Sequence, residues 1–155
     1  MGKAQTRLAG AAQAVLVPGE RLATTGVGWA CERRDGVPLL FQGRRQYWFV
    51  LTDRRLLVFR RRRGGPSADD LVLAKRYEHL EVDAVKRMRP LLQVRITTKG
   101  PRGTNGSRQV LELRPGQRGL AAELVRRVSG STPIADEDVE VDHDDPTVTA
   151  FWGDR

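Results

Sequence analysis

Cysteine is almost missing from this chain. Cys31 is the only one in 155 residues, so no internal disulfide can form, and a cytoplasmic setting is the natural expectation. Lysine is nearly as scarce, confined to Lys3, Lys75, Lys86 and Lys99, while arginine is abundant, a bias that points to a GC-rich, bacterial genome. No stretch approaches the ~18 uninterrupted apolar residues of a membrane helix. The opening Met1-Gly2-Lys3-Ala4-Gln5-Thr6 lacks the apolar run of a secretory signal. Gly2 and Thr6 do match the loose spacing of a myristoylation pattern, one not expected to operate in bacteria. Catalytic vocabulary is thin. His79 and His143 lie far apart, there is no glycine-rich phosphate loop, and Cys31 has no evident base beside it. Asp142-His143-Asp144-Asp145 offers carboxylates to a hard cation but no glycine-shaped loop to hold one, and reads as part of a solvated tail. The chain is therefore read as non-enzymatic, with no cofactor and no metal.

What is present is charge, unevenly spread. The net formal charge is +8, but residues 1–134 carry 26 Lys/Arg against 11 Asp/Glu, a net +15. Residues 135–155 carry eight acids and only Arg155, a net −7. A basic body with an acidic tail implies an anionic partner, a masked basic surface, or both.

The apolar pattern divides the chain into an N-terminal arm (1–16), a β-rich domain (17–130) and a flexible acidic tail (131–155). Leu8, Ala11, Ala12 and Val15 recur at helical spacing, which predicts a short amphipathic helix over residues 3–16. After Pro18-Gly19 the period becomes strand-like for nearly a hundred residues. Seven strands are predicted: Glu20 to Cys31, with Val27, Trp29 and Cys31 sharing a face; Gln46–Leu51; Leu56–Phe59; Leu71–Tyr77; Val82–Met88; Leu92–Thr97; and Gln109–Leu113. Thr52-Asp53-Arg54-Arg55 makes the tight turn between the second and third. Helical spacing returns at Leu120, Leu124 and Val128, and Gly130 ends that helix. The second strand is apolar on both faces, so one serves the core and the other needs a cover, either the N-terminal helix or a partner.

This order of elements, centred on Trp48-Phe49-Val50-Leu51-Thr52-Asp53-Arg54-Arg55-Leu56-Leu57-Val58-Phe59 and preceded by Gly19-Glu20, resembles bacterial PH-like and GRAM-like domains. The resemblance covers about Val17 to Val128. It implies a mainly β, pleckstrin-homology-like barrel: two orthogonal antiparallel sheets of about seven strands, with the C-terminal helix plugging one open end. Trp48, Phe49, Val50, Leu57, Phe59, Val94, Ile96, Leu111, Leu113, Leu120 and Leu124 are the expected buried set. The chain departs from phosphoinositide-binding relatives in lacking a basic-x-basic triplet in the first hairpin, so the resemblance does not extend to stereospecific inositol-phosphate recognition.

The arginines carry the functional reading. In an antiparallel meander the loops after strands one and three emerge at the same end, which would bring Arg33, Arg34, Arg44 and Arg45 near Arg61, Arg62 and Arg63. The loop bearing Arg102 and Arg108 would add to the same rim. Guanidinium groups pair well with phosphates and carboxylates. The expected function is an adaptor that docks on a protein partner or an anionic membrane surface, peripheral at the inner face. Nucleic acid is the alternative, disfavoured because the aromatics are assigned to the core rather than left free for stacking. In the tail, Phe151 and Trp152 stand out as an anchor with which the acidic segment would mask the basic rim within one molecule.

Overall fold

The computed structural model describes residues 2–33, 43–88, 90–99 and 105–130. It contains α1 (Lys3–Val15), β1 (Leu22–Glu32), β2 (Arg45–Thr52), β3 (Arg55–Arg60), β4 (Leu71–Arg76), β5 (Leu80–Met88), β6 (Leu91–Lys99), β7 (Asn105–Leu113) and α2 (Arg118–Ser129). All pairings are antiparallel, in the spatial order β4-β3-β2-β1-β7-β6-β5. The mainly β architecture with a helix at each end is therefore the one expected. Its two layers, β1–β4 and β5–β7, remain hydrogen-bonded to each other through β1, where Ala30 lies opposite Leu111 of β7. Register shifts at Leu22/Thr24, Val58/Phe59, Val82/Ala84 and Thr97/Lys99 mark irregularities that let the ladder bend.

Folding the sheet over itself needs small residues where it closes most tightly, and β1 supplies Gly26, Gly28 and Ala30 on its inward face. A Cβ on Gly26 would lie 2.6 Å from Leu120 Cδ2, and one on Gly28 would lie 2.6 Å from the Glu112 carbonyl oxygen. The inner core then joins both layers and α2: Phe49, Leu51 and Val58 meet Val94, Ile96 and Leu111, with Leu120 and Leu124 closing one end. Gly130, at φ +63°, takes the left-handed conformation that stops α2.

The second apolar face of β2 is covered by α1. Leu8, Ala11 and Ala12 pack on Val50, Leu57 and Phe59, the alanines allowing close approach of helix to sheet. Of the expected buried set only Trp48 departs from full burial. It lies half-exposed at the margin of this outer cluster, its ring faced by the Arg61 guanidinium at 5.5 Å. Its indole N–H is enclosed without an acceptor among the described residues.

A buried polar knot ties α1, β1 and the β2–β3 turn together. The Glu20 side chain is fully shielded. Its carboxylate accepts from Arg55 Nε and Nη2, both at 2.9 Å, from Thr52 Oγ1 at 2.7 Å and from the Val17 amide at 3.0 Å. Arg55 Nη2 also donates to the Val15 carbonyl at 2.7 Å, satisfying a group that the end of α1 leaves open. Thr52 Oγ1 accepts from the Arg54 and Arg55 amides, which shapes the turn, while Asp53 Oδ1 accepts from the Arg21 amide at 2.9 Å. Tyr77 donates its hydroxyl to the Thr52 carbonyl at 2.6 Å.

Burial alone would raise the Glu20 carboxyl. The Arg55, Thr52 and Val17 donors outweigh it and hold the group from its ordinary 4.5 down to about 2. A depressed carboxyl stabilises the fold fully above its unfolded value and loses that contribution as pH falls through its folded value. Glu20→Gln should thus cost about 3 kcal/mol at pH 7, and its deficit should fade between about pH 4.5 and 2, as read by urea denaturation of mutant and parent across pH. Leu124→Asp should unfold the domain, because an unpaired buried carboxylate costs several kcal/mol of a typical total of about 5–15. Loss of the cooperative thermal transition is the readout.

Candidate functional site

Because the glycines and Ala30 take the inner face of β1, its large residues point outward. Across that outer face the strand register aligns Lys86 of β5, Gln93 of β6, Glu112 of β7, Trp29 of β1 and Gln46 of β2. Glu112 is buried beside Gln93 and contacts Arg44 Nε at 2.6 Å, a close ionic contact without the alignment of a good hydrogen bond. Burial pushes the Glu112 carboxyl above its ordinary range despite the nearby Arg44 charge and the Gln93 hydrogen bond. Burial, reinforced by the Glu112 charge, likewise pushes the Cys31 thiol up to about 11, so Cys31 is a protonated packing group at neutral pH.

Beside this row lies an open groove of about 690 Å³, lined by Trp29, Gln46 and the arginines at 44, 45 and 60–63. The end of β1, the start of β2 and the segment leaving β3 converge there, since adjacent antiparallel strands return to one end of the sheet. The arginines are not equivalent. Arg44 serves Glu112 and lies over the Trp29 ring at 5.2 Å, with Arg114 also facing that ring at 5.1 Å. Arg61 donates to Gln46 Oε1 at 2.6 Å. Arg62 pairs with the buried Asp70 at 2.9 Å, while Ser67 donates to the same carboxylate from its amide and hydroxyl. Arg45, Arg60 and Arg63 are exposed, and no acidic side chain among the described residues pairs with them.

The structure thus brings Arg44, Arg45, Arg61, Arg62 and Arg63 to one groove and leaves Arg33 and Arg108 out of its lining. The half-buried Arg33 donates its amide to the Arg108 carbonyl at 2.7 Å, and the exposed Arg108 sits opposite Thr97 on β7. Arg34, Arg102, Phe151 and Trp152 lie outside the described residues. Sequence reasoning missed Trp29, Gln46 and Arg60 as groove residues. The signal for Trp29 was legible in the alternating Gly26, Gly28 and Ala30, which claim the tight inner face and turn the intervening residues outward. His79 occupies the exposed turn between β4 and β5, in a single helical turn with Glu78. Among the described residues no group of three or more metal-ligating side chains forms, and no helix is long and apolar enough to cross a membrane.

A second cavity, about 400 Å³, opens at the β1–β2 end of the barrel, away from α2. Its apolar wall includes Phe49, Leu56, Val58, Leu73, Ile96 and Leu111. Val72, 43% exposed, stands in its lining, and Arg45 belongs to both this cavity and the arginine groove.

Seven antiparallel strands in this order, closed by a C-terminal helix, make a pleckstrin-homology-like fold. No family model and no curated protein sequence matches the chain. Partial similarity is found to solved multidomain structures. The truncated linker-DH/PH domains of p115-RhoGEF share 12% identity over 79% of this chain and 33% of that one, with a TM-score of 0.45. A structure on the PH and C1 domains of the Vav1 exchange factor gives 10% identity, 82% and 33% coverage, and a TM-score of 0.48. The DH/PH domains of PDZ-RhoGEF, in complex with GTP-gamma-S-activated RhoA, give 12%, 78%, 34% and 0.47. The chain spans about a third of the length of these structures.

The division of labour among the arginines has a measurable consequence. Arg44→Met strips a buried carboxylate of its cation and should destabilise the fold by about 3–5 kcal/mol. Arg45→Met, at an exposed position without an acidic partner among the described residues, should stay within about 0.5 kcal/mol of the parent. Urea denaturation of the two variants side by side separates the structural arginine from the free one.

Proposed function

We propose that this PH-like domain is a non-catalytic docking module that holds an anionic surface in its arginine groove, at the inner face of a membrane or on an acidic face of a protein partner. The observation that carries this reading is the exposure of Arg45, Arg60 and Arg63 in one groove without acidic partners among the described residues. Guanidinium groups left unpaired by the fold remain available to phosphates and carboxylates, whereas Arg44 and Arg62 are occupied in holding Glu112 and Asp70. Each free arginine near an anionic surface contributes about 1 kcal/mol, so docking is weak, reversible and screened by salt. The groove is open and its arginines sit on successive positions, an arrangement that suits a charged surface better than one inositol-phosphate isomer.

Nucleic acid is the second reading, because the same groove would accept a phosphate backbone. The aromatic geometry disfavours it. Trp29 already has Arg44 and Arg114 against its ring, and Trp48 has Arg61, so neither indole is free to take a stacked base.

Vesicle co-sedimentation tests the reading directly. Vesicles of different anionic head groups, matched in charge density, should bind alike and release the protein as salt rises. Arg60→Ser with Arg63→Ser should weaken binding about thirtyfold, two arginines at about 1 kcal/mol each. Strong preference for one phosphoinositide isomer, or a double variant that binds like the parent, would contradict the groove as the docking site. Tighter binding to single-stranded nucleic acid than to any vesicle would move the assignment to the second reading.

A further inference from the structure

The arginine groove and the barrel-mouth cavity meet at Arg45, which lines both, so that the two together can serve as one composite site. One half is cationic. The other is apolar, with an aliphatic residue, Val72, exposed at its edge. A volume of about 400 Å³ lies within the ~300–1,000 Å³ range of ligand sites and is ample for one or two aromatic side chains. The ligand chemistry that matches both halves is an acidic peptide carrying adjacent bulky aromatics.

The chain contains such a segment. Asp136, Glu137, Asp138, Glu140, Asp142, Asp144 and Asp145 precede Phe151-Trp152, and the segment from residue 135 onward carries a net −7 against +15 for the rest. Length permits the contact. From Gly130, where α2 ends, to Phe151 is 21 residues, which reach about 70 Å when extended. A domain of this size has a radius of gyration of about 14 Å, so the aromatic pair can reach any point on its surface. The last acid before the aromatic pair, Asp145, lies six residues before Phe151, about 20 Å of extended chain, so the acids can rest on the groove while the rings enter the neighbouring mouth.

We infer that residues 135–153 dock in this composite site, with Phe151 and Trp152 in the barrel mouth and the preceding acids along Arg45, Arg60 and Arg63. The tail is then the resident occupant of the groove and competes with any external anionic surface. Tethering raises its local concentration to about the millimolar range, so a contact too weak to hold a free peptide is still populated. The competition rests on the docking function proposed above, but the tail contact itself does not.

The test uses the full chain and the double variant Phe151→Ala, Trp152→Ala, which leaves the charge unchanged. In methyl-selective NMR, removal of the rings should shift Val58, Val72, Leu73 and Ile96, and the amides of Arg45 and residues 60–63 should move as well. Laurate, added as an apolar probe with an anionic head, should perturb those methyls in the variant and leave the parent nearly unchanged. Binding to phosphatidylserine vesicles should tighten about five- to tenfold in the variant, the factor gained when a mostly occupied site is vacated. Coincident methyl and amide spectra, or equal laurate response in both proteins, would show an empty mouth and overturn the inference. If the spectra change as expected while neither protein binds vesicles, the tail contact stands and the membrane-docking reading fails.

Discussion

The structure depends on the pairing of Glu20 with Arg55, because that pair joins three pieces of chain: the approach to β1, the start of β3 and the end of α1. Glu20 enters before β1, Arg55 opens β3, and the Arg55 guanidinium continues to the last turn of α1 through the Val15 carbonyl. Burying a carboxylate is costly, and the cost is offset here by four donors converging on one group. Thr52 belongs to the same knot and also folds the β2–β3 turn through two backbone amides. The short run Leu-Thr-Asp-Arg-Arg and the distant Gly-Glu are thus two halves of one interaction, which explains why both are needed to pin the meander to the helix that precedes it.

With that corner fixed, the sheet must be apolar on both sides of β2, and each side has its own cover. The inner face closes over the opposite layer and α2, while α1 closes the outer face only as far as Trp48. Beyond α1 the outer surface changes character, from aliphatic residues under the helix to Trp29, Gln46, Glu112 and the arginines. The groove begins where the helix stops. Its cationic character follows from which acids fall within reach: among the described residues Glu112 and Asp70 each hold one arginine, and Arg45, Arg60 and Arg63 are left with none.

Much of the fold was legible from period alone. Strand alternation, the Thr52–Arg55 turn and the Leu120/Leu124 stripe predicted the elements because each pattern is short-range and repeats within one element. The contacts of Arg44 and Trp29 were not legible in the sequence, for a common reason. Arg44 looks like any other loop arginine until Glu112, on a strand far along the chain, is placed beside it. Trp29 looks like core until the glycines flanking it are seen to face the tight bend, which leaves its ring under two guanidinium groups instead. Arg33 and Arg108, grouped with the rim by loop-end reasoning, are held by a backbone contact outside the groove lining.

The sequence by itself determined the class of fold, the count and order of strands, the terminal helices and the opposed charge of body and tail, because these follow from composition and from spacings of two to four residues. Tertiary structure decided which arginines are structural and which are free. It also set the joining of a cationic groove to an apolar mouth at Arg45. Those features depend on distances between residues dozens of positions apart, set by register and by the fold of the sheet over small residues. Local pattern carries no information on either.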